Sequence, residues 1–302
     1  MKKLALVTAC DQKYAGSALN LIGSVQSNSK IFDEIVVYNL GLDLPTRMNF
    51  RMIKGVKLKR VPMFVPYALK CWTWKPWIWS NVNAERVLYL DAGAEVMGSL
   101  QEAVENIDKY GYFVVSQHGH LAGGHTVNQV IPKDYYQQFD ISKEFDSKEV
   151  VGSGVVGFRK DSEFYKQVIG ESLRYAKDGY TLGWSKGELS RNKEIHKLDN
   201  PTIRNCQYFR HEQTLLNIFF YKFTKDPRVM PMNRYASLEA NPNALICIQK
   251  HEHSLEYLDA INYKVPLSIR RIIGKLSALI VLVGKGDIGG ILRKIKKTLV
   301  GH

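Results

Sequence analysis

Cysteine is scarce in this chain, and Cys10, Cys71, Cys206 and Cys247 lie too far apart for the short spacings of a zinc knuckle or a redox motif. Reduced thiols follow, as in a protein kept in a reducing compartment, and a cytoplasmic location is the expectation. Long apolar runs are also missing, since none reaches the roughly 20 residues that a membrane-spanning helix needs. The opening MKKLALVTAC puts two lysines before an apolar stretch, but a signal-peptide core needs about 7 to 15 such residues, so this stretch reads as a first strand. The segment after it, TACDQKYAGS, lacks the G-x-G-x-x-G of a dinucleotide-binding dehydrogenase. It also lacks the glycine- and arginine-rich phosphate loop of a sugar-phosphate nucleotidyltransferase. No internal repeat and no low-complexity linker divides the chain.

What is present is enough for a sizeable core: 302 residues, 45% of them hydrophobic. The formal net charge is +13, and +7 of it lies between Pro266 and His302, where eight basic residues face Asp287 alone. Charge gathered in a terminal segment suits an anionic surface better than it suits a nucleic-acid groove running through the fold, so no nucleic-acid partner is expected. In that segment apolar clusters such as LSALIVLV alternate with lysines and arginines, the pattern of helices lying in a membrane interface. The expectation is a body over 1–265 and a basic amphipathic tail over 266–302, peripheral on the inner face of a membrane.

Hydrophobic periodicity places strands at LALVTAC from Leu4, EIVVYNL from Glu34, VKLKRVP from Val56 and RVLYL from Arg86, with helices between them, the first over Ala15 to Asn28. This alternation predicts a mostly parallel sheet covered by helices. Ligands then bind outside the carboxyl ends of the strands, so Thr8 to Asp11 and Asp91 to Glu95 are expected to share a crevice. Further strands are read at GYFVVSQ and GSGVVGF, and helices over Ser162 to Lys177 and from Arg210 onward. The stretch from Asp178 to Cys206 reads as loop.

Three constellations carry chemistry. VLYLDAGAEV sets Asp91 directly after an apolar strand, which holds a carboxylate rigidly at a sheet edge. PYALKCWTWKPWIW surrounds Lys70 and Lys75 with four of the five tryptophans, and ammonium groups among so much apolar surface call for an anion. RHEQTLLN puts Glu212 in the first turn of a helix, where dipole and backbone N–H groups favour a carboxylate.

The strand order, the strand-end L-D-x-x and the later pair GSGVVGFRK and HEQTLLN together resemble the nucleotide-diphospho-sugar transferases of the GT-A fold over about residues 1–255. The resemblance implies a Rossmann-like GT-A glycosyltransferase domain, with a donor-nucleotide half over about 1–116 and an acceptor half over about 117–265. It implies transfer of a hexosyl or related group from a nucleotide-sugar donor to a glycan or lipid-linked acceptor. Donor contacts fall on Thr8, Ala9, Asp11, Tyr14, Lys70, Lys75, Asp91, Ala92 and Gly93, and acceptor contacts on Gly152, Ser153, Gly154 and Gln213. Asp91 and Glu212 are the catalytic candidates, Glu212 as the base of an inverting reaction. In such transferases a D-x-D motif grips a divalent cation, and here its second acid is Gly93. A Mn²⁺ or Mg²⁺ ion would need Asp91, Glu95 and a late histidine, His251 or His253; otherwise lysines must stabilise the leaving diphosphate. Gly93 also leaves open a catalytically degenerate scaffold or binding protein.

Overall fold

The computed structural model describes residues 3–117, 126–185, 202–203, 205–237, 244–248 and 255–284. His251, His253 and the tail beyond 284 lie outside the described residues.

The chain opens with β1 (Leu4–Cys10), α1 (Ala15–Asn28), β2 (Glu34–Asn39), α2 (Leu44–Met52), β3 (Val56–Arg60), α3 (Trp74–Asn81) and β4 (Arg86–Leu90). All seven residues of β1 are buried, as they must be in a strand covered on both faces. Successive side chains feed opposite layers: Ala5, Val7 and Ala9 join one core cluster and Leu6 and Cys10 the other. Helix α2 starts where Asp43 accepts from the Thr46 N–H at 2.8 Å, with proline in its first turn. Next come β5 (Ala94–Val96), α4 (Gln101–Tyr110), β6 (Tyr112–Ser116), β7 (Val151–Arg159), α5 (Gly170–Lys177), α6 (Glu212–Phe223), β8 (Ile246–Ile248) and α7 (Leu267–Gly284). A π-helical turn, Phe164–Ile169, runs into α5, so the helix read from Ser162 to Lys177 is present in two geometries.

The main sheet has the order β3-β2-β1-β4-β7-β6. The first four strands are mutually parallel, whereas β7 runs antiparallel to both β4 and β6. The fold is therefore α/β with a mostly parallel central sheet, as the alternating pattern predicts. One layer of core, with Trp79, Phe158, Leu215, Phe219 and Phe220, lies on the α3 and α6 side. The other, with Leu21, Ile22, Phe50 and Ile107, lies under α1, α2 and α4.

One feature departs from the sequence expectation. Residues 94–96 form a strand of a second sheet, β5, antiparallel to β8, and this turns Glu95 inward instead of toward the crevice. The first half of the basic tail is a helix packed on α2, with Lys264 N–H donating to the Met52 carbonyl at 2.8 Å just before it. Its outer surface leaves Ile269, Ile272, Leu276 and Ile280 exposed. Among the described residues no helix is long and apolar enough to cross a membrane.

Candidate active site

Strand β4 ends at Leu90, and Asp91 follows with its N–H bonded to the Gly154 carbonyl of β7 at 2.9 Å. A cavity of about 200 Å³ opens there. Its wall is assembled from distant pieces of chain: Trp72 and Lys75, Asp91, Val115 to Gln117, Gly152 to Val155, and Arg210 to Gln213.

Lys75 is at the centre of it. It is the second residue of α3, and only 2% of its side chain is exposed. Its Nζ lies 3.0 Å from Asp91 Oδ1 and 3.0 Å from Glu212 Oε1, and it approaches Ser153 Oγ at 3.4 Å. Burial pulls the ammonium pKa down, yet the charges of Asp91 and Glu212 outweigh that, and the pKa ends above the ordinary lysine value. The ammonium ties two carboxylates together.

Glu212 is the first residue of α6 and is buried. Ser153 Oγ donates to its Oε1 at 2.8 Å. An ammonium, a hydroxyl and a helix N-terminus therefore surround this buried carboxyl group. Asp91 differs, because 40% of its side chain is exposed. It also accepts from the Tyr89 hydroxyl at 2.8 Å, and burial together with Asp91 holds the Tyr89 phenol well above its ordinary pKa. The pair therefore offers one sheltered and one accessible carboxylate, bridged by one cation.

Gly154 makes room for this. A Cβ built there would stand 3.0 Å from Asp91 Oδ2, so a side chain at 154 would press on the carboxylate. On the other flank, the Gln213 amide donates to Gln117 and to the Val151 carbonyl, the latter at 3.0 Å, and Asn217 accepts from the Val151 N–H at 2.8 Å. The glutamine and asparagine of the EQxxxN segment thus pin the start of β7 against α6.

The structure brings together Lys75, Asp91, Gly152, Ser153, Gly154, Glu212 and Gln213 of the residues singled out in the sequence. Others stand apart. Thr8 and Ala9 are buried within β1, Asp11 accepts from the Tyr14 N–H at 3.1 Å, and neither these nor Tyr14, Ala92 or Gly93 lines the cavity. Lys70 is exposed outside it. Glu95 is buried and accepts from Asn20 Nδ2 at 2.6 Å. Trp72, Gln117, Arg210 and His211 were not anticipated. Arg210 and His211 immediately precede Glu212, so adjacency was the available signal, but nothing in the sequence distinguishes the exposed Trp72 from its buried neighbours.

Among the described residues, those at the cavity do not gather into a divalent-cation site. Asp91 already accepts from Lys75 and Tyr89, Gly93 has no ligand atom and Glu95 is committed to Asn20. Among the described residues no group of three or more His, Cys, Asp or Glu side chains gathers to hold a metal.

No protein-family model and no curated protein sequence matches this chain. Solved structures do match it in shape. The apo structure of the bifunctional glycosyltransferase WbbM aligns over 89% of this chain with a TM-score of 0.53 and 13% identity. This chain covers 51% of WbbM, about half its length. The galactosyltransferase LgtC, solved in complex with donor and acceptor sugar analogues, aligns over 88% of this chain and 99% of its own, with a TM-score of 0.51 and 13% identity. The chain has a GT-A glycosyltransferase-like fold.

Proposed function

We propose that this protein is a glycosyltransferase moving a hexosyl or related sugar from a nucleotide-sugar donor to a glycan or lipid-linked acceptor. The observation that carries the reading is the pair of carboxylates, Asp91 and Glu212, tied by the buried Lys75 in a cavity beside the carboxyl end of β4. The fold shared with WbbM and LgtC supports it.

In this reading the accessible Asp91 orients the donor. Glu212 takes the proton of the acceptor hydroxyl as that oxygen bonds to the anomeric carbon and the nucleotide diphosphate departs, the course of an inverting reaction. Lys75 positions both acids. Its bonding capacity is already directed to Asp91, Glu212 and Ser153, so it acts as a clamp and leaves Arg210 as the other cation of the cavity wall. No step is assigned to a metal ion: among the described residues Asp91 is held by Lys75 and Tyr89 and Glu95 by Asn20. Thr8, Ala9, Asp11 and Tyr14, one strand away, remain candidates for the nucleotide.

The same reading places the protein on an anionic membrane surface. The exposed isoleucines and leucine of α7 and the basic residues on that helix, Arg271 and Lys275 among them, support it.

The test is Asp91→Asn, which keeps the shape and removes the charge. Wild type is screened against a panel of nucleotide sugars by thermal shift and by release of nucleoside diphosphate, with Mn²⁺ and with EDTA. Binding and release are expected in both media, and in Asp91→Asn both should fall by more than the accompanying loss of stability accounts for, measured below the variant's melting temperature. Unchanged turnover in that variant removes the core of the reading. Donor binding without even slow hydrolysis would favour instead a degenerate scaffold, the alternative that Gly93 keeps in play.

A further inference from the structure

Core packing does not account for Trp72. Its indole is 42% exposed, whereas Trp74 and Trp79 of the same segment are buried. The backbone that presents it is left-handed at two successive non-glycine residues, φ 47° at Cys71 and φ 53° at Trp72. Such conformations are unfavourable for L side chains and persist where the surroundings enforce them. Here the Trp72 carbonyl is held by the Lys75 N–H at 2.9 Å, fixing the loop to the first turn of α3.

Across the rim stands His211, itself left-handed with φ 55°. Its ring lies against the indole, centroids 5.1 Å apart and planes 32° from parallel. Trp184 meets both rings edge-on, 6.2 Å from Trp72 and 4.4 Å from His211, and Thr181 O lies 2.9 Å from His211 Nδ1. The Trp72 ring is therefore propped from behind in one orientation and open to solvent, on a wall that also carries Arg210, Asp91 and Glu212. A flat apolar face bordered by charged hydrogen-bonding groups matches a pyranose, whose axial C–H face is apolar and whose edge is hydroxyl.

We propose that Trp72 is the stacking platform of a saccharide subsite and that the sugar it receives belongs to the acceptor. The assignment to acceptor rests on the transferase reading; saccharide binding does not. A nucleobase is the weaker fit, because the cavity lies over β4, β7 and β6, and none of Thr8, Ala9, Asp11 and Tyr14 at the end of β1 lines it.

The experiment uses the full chain with ¹⁵N-labelled indoles, and Trp72→Phe identifies the Trp72 signal. Lactose, maltose, cellobiose and simple methyl glycosides are titrated to high millimolar concentration, and UDP and GDP are titrated separately. A saccharide is expected to move the Trp72 signal while the nucleotides leave it in place. Its affinity should fall about tenfold in Trp72→Ala and less in Trp72→Phe. With an acceptor that supports transfer, Trp72→Ala should raise acceptor KM about tenfold, and Trp72→Phe should recover most of that loss. Movement by nucleotide alone overturns the proposal in favour of a base platform, and silence toward every saccharide overturns it outright. Saccharide binding at Trp72 in a protein that no nucleotide sugar stabilises keeps the platform and sinks the transferase. Turnover with an acceptor KM indifferent to Trp72→Ala does the reverse.

Discussion

The two halves of the central sheet are built on different logic. From β1 to β4 the strands are parallel, adjacent in the sheet and nearly free of charge inside, and β1, β2 and β3 pair in the order of the chain. Around β7 the direction reverses, and the wall of the cavity gathers Lys75, Asp91, Ser153 and Glu212 from four separate stretches. The first half is a scaffold whose stability is hydrophobic. The second holds buried charges that are tolerable only as a complete set.

The strongest way to break that contrast is Lys75→Met. Removing one member of a buried ion cluster leaves its partners uncompensated, and a loss of about 3–5 kcal/mol is expected in denaturant unfolding, with transfer abolished. Because the folded pKa of Lys75 lies above its ordinary value of 10.5, its contribution in wild type is complete below that value and is lost as pH rises through the folded pKa. The deficit of the variant should shrink toward alkali, as wild type loses the Lys75 contribution. A deficit that does not change with pH would mean that packing, not charge, is what Lys75 supplies.

Next in size is Glu212→Gln, which keeps the shape of the cluster. Turnover should fall by about 10² to 10⁴ with donor affinity largely kept. A twofold loss would reduce Glu212 to a partner of Lys75 and the helix N-terminus.

Leu6→Ala probes the scaffold instead. Leu6 is fully buried in β1, and about 2–5 kcal/mol of stability should go with it, while activity per folded molecule stays near wild type. Activity lost in proportion to stability would erase the division between the halves.

The smallest effect belongs to Glu34, at the start of β2, which pairs with Lys3 at 2.9 Å and Lys57 at 2.6 Å. Burial opposes its ionisation, yet the two lysines hold its pKa below the ordinary carboxylate value. Both lysines are substantially exposed, so Glu34→Gln should cost about 1 kcal/mol or less. Wild type should lose that margin only as pH falls below the ordinary carboxylate range, toward the depressed pKa.

The same contrast explains what was legible in the sequence. Strands β1 to β4 and helix α1 begin where apolar periodicity puts them, because local pattern and global burial agree there. Asp91, Ser153 and Glu212 were legible as single residues, each beside a recognisable element end. Their union through Lys75 was not, since nothing local tells that an ammonium among tryptophans will meet two acids 16 and 137 positions further on. The inward turn of Glu95 was hidden for a related reason: β5 exists only because β8, about 150 residues later, pairs with it. Trp72 escaped notice because exposure of one indole among four is set by two left-handed residues that composition does not reveal.

Gly154 and Asp91 share a fate that neither residue announces alone. With a Cβ at 154 only 3.0 Å from Oδ2, Gly154→Ala requires the Asp91 carboxylate, already held by Lys75 and Tyr89, to give by a few tenths of an ångström, and makes no such demand where position 91 is glycine. The two sites are therefore epistatic. A chain that keeps the strand-end acid must shift its carboxylate to accept a side chain at 154, and one that gives up the acid need not.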